Sequence, residues 1–180
     1  MKSEAELCTV IVKSFTYGYK IPDESGFQYG AHTGIRCFDG IATQMLADGL
    51  HFICWEAKYL KSPGAFSFKR IAPHQNFNLI EFRKAKEVLS YVIVGIDYGR
   101  ADKRVFVFDW TEDFSNLYKI GFSIHLKELE KLPYNKISKG TFSFDNIITY
   151  DMLKKVYPNF EDICNDFKKK MEIANGKSNI

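Results

Sequence analysis

The sequence predicts an α/β (α+β) fold, a central mixed β-sheet flanked by helices, with extra helices toward the C-terminal end. Three observations carry this. Two apolar stretches surround Ala47-Asp48-Gly49, and Asp-Gly is a strong hairpin signal because a type I′ turn needs positive φ at both central positions. Two β-rich runs, 91–97 and 104–109, flank the turn-like 99–103. Helical periodicity precedes, separates and follows these pairs, giving the order α-β-β-(β)-α-β-β and then helices.

Each element has its own justification. Residues 3–15 read as a helix, with Ser3 as N-cap and Glu6 three residues later as a capping box. Leu7, Val10, Ile11 and Phe15 form its apolar stripe. Residues 17–34, rich in Gly, Tyr and polar side chains, read as an irregular loop. The hairpin strands are 35–46 and 50–58. Residues 59–72 connect onward through Pro63-Gly64, with a short extended piece at 66–68. Residues 73–89 read as a helix beginning near Pro73, with Phe77, Ile80, Lys84 and Val88 at helical spacing. Beyond the second strand pair come a charged helix near 123–131, a turn-rich stretch with Pro133 and Gly140, and helices near 147–156 and 159–174. The expected organisation is a core over 1–112, a helical extension over 113–175 packed on it, and a disordered tail at 176–180.

Composition bounds the function classes. The chain has 180 residues, 46% hydrophobic and 26% charged, enough to bury a core without covalent staples. A net charge of +3 neither demands nor excludes a polyanionic partner, so charge placement decides. The four cysteines, at 8, 37, 54 and 164, have no metal-ligand spacing and point to a reducing compartment. No signal-peptide h-region and no membrane-length apolar stretch occurs, so the expected location is the cytoplasm.

Charge placement singles out the hairpin. With Asp48-Gly49 as a two-residue turn, position i faces position 97 minus i. Asp39 then faces Lys58, and Ile41 faces Glu56. Side chains alternate between faces, so Asp39, Glu56 and Lys58 share one. Directly opposite positions lie about 4.5–5.5 Å apart at Cβ and diagonal ones about 7–8 Å, near enough for two carboxylates to hold one divalent cation. Two carboxylates make a hard oxygen site for Mg²⁺, which neutralises charge in phosphoryl chemistry, and an adjacent lysine can orient water or stabilise developing charge. The backbone carbonyl of Ala57 is a further ligand. The rival reading is a cross-strand ion pair on a wet sheet face, common and of little consequence. From 58 to 86, Lys58, Lys61, Lys69, Arg70, Arg83, Lys84 and Lys86 oppose only Glu81, a basic strip suited to phosphate.

The arrangement resembles the PD-(D/E)XK nuclease superfamily, whose core is the restriction-endonuclease-like fold. Asp39 in "FDGIA" stands for its aspartate and "EAK" (Glu56, Ala57, Lys58) for its second half. Phe38 occupies the position of the usual proline. "FSFKRIAPHQ" (66–75), leading into a helix and a β-branched strand, is similar to RecU-type Holliday junction resolvases over about residues 35–110. The resemblance implies that Asp39 and Glu56 are metal ligands, that Lys58 is the catalytic lysine and that Gln75 supports the site. It makes Glu6 a further candidate ligand and aligns Lys69 with a loop lysine that touches DNA; together with the basic strip, the expected DNA contacts are Lys61, Lys69, Arg70 and Arg83. The implied cofactor is Mg²⁺, with Mn²⁺ able to substitute. The long stalk of those resolvases has a short counterpart here, residues 16–34, and the region after 113 has no clear equivalent.

The expected function is therefore Mg²⁺-dependent endonucleolytic hydrolysis of DNA, resolvase-like and acting in recombination or repair. A homodimer is expected if paired strands are cut. The alternatives are a restriction, homing or phage recombination endonuclease with a duplex target, and a non-catalytic DNA-binding protein that keeps the fold.

Overall fold

Leu7, Cys8, Val10 and Ile11 give Glu4–Ser14 one buried stripe, and these residues form α1. Ser3 caps it, its side chain accepting the Glu6 N–H at 3.2 Å. The chain's structure, a computed structural model, describes residues 1–22, 37–46, 49–99 and 101–176, with side chains to residue 170. Much of the expected loop over 17–34, the start of the first hairpin strand, Ala47-Asp48 and the last four residues lie outside the described part.

The sheet is mixed. Tyr17–Lys20 forms β1, a strand within the expected loop. Gly40–Leu46 forms β2 and Gly49–Leu60 forms β3. These three make an antiparallel meander. Phe66–Ser67 forms β4, and a 3₁₀ turn follows at Phe68–Arg70. Pro73–Arg83 forms α2, with Pro at the position where its missing N–H costs nothing. Val88–Asp97 (β5) then runs parallel to β3, and Lys103–Asp109 (β6) returns antiparallel. The main sheet has the order β1-β2-β3-β5-β6. The near-continuous burial of β5 is what a strand covered on both faces requires.

The helix expected over 73–89 stops at Arg83. Glu87 takes a left-handed conformation (φ 66°), and Val88 is needed opposite Phe52 to begin the parallel pair. The buried stripe of α2 is Gln75, Asn76 and Leu79; Phe77, expected on it, is exposed.

The region after residue 110 is more than helices. Glu112–Lys119 forms α3, missed in the sequence although Phe114, Leu117 and Tyr118 follow helical spacing behind an acidic first turn. Ser123–Ile124 (β7) pairs with β4. The expected helix over 123–131 is reduced to α4, Leu126–Leu129. Asn135–Lys136 (β8) and Ile147–Ile148 (β9) both pair with β6, one antiparallel and one parallel. Tyr150–Val156 (α5) and Phe160–Gly176 (α6) complete the chain. No helix among the described residues is long and apolar enough to cross a membrane.

Two apolar layers cover the sheet. On one face α1 packs over Ile53, Trp55, Ala57, Ile93 and Val107. On the other, Leu79 of α2 and the rings of Phe68, Phe114, Phe122 and Phe160 pack over Val92, Val94, Phe106 and Phe108. Trp55 is fully buried in the first layer, and its indole fixes the residue after Asp39. A Cβ on Gly40 would run into the Trp55 ring and lie 2.5 Å from the Tyr19 carbonyl oxygen. Neither the backbone nor a ring in a packed layer yields cheaply. Gly40→Ala is therefore expected to destabilise the protein by about 2–3 kcal/mol, measurable by urea denaturation; a loss below about 0.5 kcal/mol would contradict this packing.

Candidate active site on the second face of β3

The register sets which side chains meet. The pairs are Gly40 with Trp55, Ile41 with Cys54 and Leu46 with Gly49, so position i faces 95 minus i, not 97 minus i. This two-residue slip keeps every side chain on its expected face. It changes the partners: Ile41 sits across from Cys54 rather than Glu56, and continuing the register by one residue sets Asp39 across from Glu56 rather than Lys58.

Asp39 lies just before β2 and is clasped from two sides. Its carbonyl oxygen accepts the Ile21 N–H at 2.9 Å, and its Oδ2 accepts the Ala57 N–H at 2.8 Å. The carboxylate thus takes the place of a backbone acceptor where the β2 ladder has ended. One residue either side of Ala57 on the strand, Glu56 and Lys58 point together to the opposite face from Trp55. The Lys58 ammonium donates to Glu56 Oε1 at 2.6 Å. Asp39 is 1% exposed, Glu56 0% and Lys58 9%.

This burial decides against the wet cross-strand pair. Exposed ion pairs contribute little, but burying two carboxylates and an ammonium is costly and persists only where each charge is held. The field of the carboxylates extends through the sheet to α1. The Cys8 thiol is pushed up to about 12, first by its burial and then by the Asp39 carboxylate, with a smaller contribution from Glu56.

The other expected site residues divide. Gln75 is buried, and its Oε1 accepts the Ala72 N–H at 2.9 Å, so its side-chain oxygen is used to start α2. Glu6 sits at the start of α1: its carboxylate accepts the Lys2 N–H at 2.6 Å and lies 3.4 Å from the Met1 ammonium, and burial first, then the charges of Asp97 and Glu6, push the Tyr59 phenol up. It serves the beginning of α1 and the Tyr59 end of β3. Arg83 donates from Nη1 and Nη2 to the Asp109 carboxylate, at 2.6 and 3.2 Å, and so ties α2 to β6.

The basic strip shrinks accordingly. Lys58, Arg83, Lys84 and Lys86 each face a carboxylate. Lys61, Lys69 and Arg70 remain as exposed cations. Lys69 Nζ lies 4.8 Å from the centre of the Tyr118 ring, and Arg70 Nη2 donates to the Tyr59 carbonyl at 3.2 Å. The last places Arg70 one residue beyond Lys58 on the strand.

A brace under the site was not foreseen. Asn76 on α2 donates to Ser115 Oγ on α3 at 3.1 Å and accepts the Trp110 Nε1–H at 3.0 Å. Ser90 Oγ donates to the Leu79 carbonyl at 2.6 Å and lies 3.0 Å from Cys54 Sγ. These buried bonds fix α2 over β3 and β5. The signal was present as polar residues on the buried side of a helix, but periodicity alone cannot say which polar residue turns inward.

No protein-family model matches the chain, and no curated protein is significantly similar to it. The site therefore rests on its own chemistry. Among the described residues no group of three or more His, Cys, Asp or Glu side chains could hold a metal. That excludes a closed all-protein cage from that part of the chain. It is compatible with Mg²⁺, which is typically held by one or two carboxylates and completes its shell with water and substrate phosphate. The carboxylates available here are those of Asp39 and Glu56, and the Ala57 carbonyl lies on the same strand edge as the N–H that Asp39 accepts.

Proposed function

We propose that this protein is a Mg²⁺-dependent endodeoxyribonuclease with a restriction-endonuclease-like core, resembling Holliday junction resolvases of recombination and repair. The observation that carries the reading is the meeting of Asp39, Glu56 and Lys58 about Ala57, on β3 in its parallel pairing with β5. The three sit in the C-terminal half of the sheet's central parallel pair, the end at which open α/β sheets place their ligands. The order of α1, the β1–β2–β3 meander, the α2 crossover and parallel β5 also supports the core.

Asp39, Glu56 and the Ala57 carbonyl would hold Mg²⁺, which supplies positive charge to the scissile phosphate and its attacking water. The chain's own residues do the rest. Asp39 is held rigid by the Ala57 N–H and by its backbone bond to Ile21, so its free geometry is small before substrate arrives. Lys58 presents its ammonium from a buried position, where a fixed charge acts more strongly than in water. It orients the water that attacks phosphorus, or stabilises charge on the phosphoryl oxygens. The water oxygen bonds to phosphorus, the bond to the 3′ oxygen breaks, and that oxygen takes a proton. The resemblance implies 5′-phosphate and 3′-hydroxyl ends. Lys61, Lys69 and Arg70 contact the DNA backbone, giving affinity that falls with salt. Four free thiols support a reducing, cytoplasmic setting.

The test is cleavage by the purified full chain of a mobile four-way junction, a flap and a linear duplex. Cutting is expected only with Mg²⁺ or Mn²⁺ and with preference for the junction. Equal cutting of plain duplex would move the reading to a restriction, homing or phage recombination endonuclease. Metal-independent DNA binding without cutting would leave the non-catalytic alternative.

A further inference from the structure

Lys58 already stands as a cation beside Glu56. Its ammonium lies 2.6 Å from Glu56 Oε1, its side chain is 11% exposed, and the Glu56 carboxylate is wholly buried. Lys84, Lys86 and Lys119, by contrast, pair with carboxylates while keeping 65%, 92% and 57% of their side chains in water. Exposed pairs of that kind contribute little. A buried carboxylate keeps its charge only beside a compensating one. In the metal-free protein the Lys58 ammonium supplies that compensation.

A divalent cation asks for the same carboxylate. Asp39 and Glu56 bring two negative charges and Lys58 one positive. A doubly charged ion entering beside the ammonium turns this set net positive. The same ion entering in place of the ammonium leaves the set neutral. Like charges brought together at a buried position repel strongly, because little water is present to screen them. Asp39 raises no such obstacle, since its Oδ2 accepts from the uncharged Ala57 N–H. Lys58 is also able to leave: its ammonium is carried on a flexible four-carbon stem, and the residue is 9% exposed, where Glu56 is 0%.

We propose that the Lys58 ammonium is a resident counter-ion that opposes metal entry in the DNA-free protein, and that the metal binds by displacing it from Glu56. Resting on the reading of Asp39 and Glu56 as metal ligands, this assigns Lys58 a role before catalysis. The contact is autoinhibitory: the bond that keeps Glu56 charged in the empty site is the bond that must break when the site fills. The phosphate of bound DNA gives the released ammonium its next partner, which couples metal affinity to DNA.

Calorimetric titration of the purified full chain with Mn²⁺, in the absence of DNA, tests this. Lys58→Gln keeps a hydrogen-bond donor for Glu56 and removes the charge. It is expected to bind Mn²⁺ at least about tenfold more tightly than the wild type. Asp39→Asn added to Lys58→Gln is expected to abolish that gain, which ties the ion to this site. Should Lys58→Gln fold poorly, the urea midpoint carries the test: Mn²⁺ is expected to raise it more in the variant than in the wild type, because a ligand of the native state stabilises that state in proportion to its affinity. Equal Mn²⁺ affinity in wild type and variant overturns the inference and leaves the metal reading standing. Absence of Mn²⁺ binding in both overturns the metal reading with it. A gain that survives Asp39→Asn puts the ion elsewhere and also overturns the inference.

Discussion

Asp39→Asn is expected to lower Mg²⁺-dependent DNA cleavage by about 10³-fold or more, with the fold intact. The two effects separate because Asp39 has two duties. Its Oδ2 accepts the Ala57 N–H, and the amide oxygen of Asn can accept the same bond in the same place. What Asn lacks is the negative charge that a hard cation requires. The stability cost should stay near 1 kcal/mol, the range of one neutral hydrogen bond exchanged for a charged one. Cleavage of the same DNA at matched protein concentration, beside a urea melt of each protein, checks both parts. Activity within tenfold of wild type would remove Asp39 from the chemistry.

Lys58→Met is expected to have the largest effect on stability. It removes the ammonium 2.6 Å from a carboxylate that is 0% exposed, while Lys58's own side chain is only 11% exposed. Taking one partner from a buried ion pair costs about 3–5 kcal/mol, because the remaining charge keeps its desolvation penalty. Neutralising the remaining partner should recover much of this. Lys58→Met with Glu56→Gln is expected to be at least about 1–2 kcal/mol more stable than Lys58→Met alone. Urea denaturation of the two singles and the double closes the cycle. Additive losses would mean that Glu56 and Lys58 do not depend on one another. The cycle also bears on activity: loss of cutting in a Lys58 variant is evidence for catalysis only at temperatures where that variant is folded.

The hairpin shows what a sequence can and cannot tell. Alternation has a period of two, so an error of two residues in the turn left Asp39, Glu56 and Lys58 on a common face while changing their partners. An error of one would have destroyed the site. The α1 stripe and the β5–β6 pair were legible because their apolar period is strong. Strand β1 was not, because Tyr17-Gly-Tyr-Lys20 is exposed enough to read as a loop; it is a strand because β2 pairs with it. The end of α2 was set by tertiary demand, since Val88 is required beside Phe52. Arg83 looked like part of a basic strip because Asp109, its partner, is 26 residues away in sequence. Local charge counts cannot see such a pair.

The most direct test is a crystal of the full chain soaked in Mn²⁺, read by anomalous scattering. The account predicts a peak within about 2.0–2.4 Å of both the Asp39 and Glu56 carboxylates, the range for a hard divalent cation on oxygen. An empty site under conditions that support DNA cleavage, or a metal bound away from both carboxylates, would contradict it.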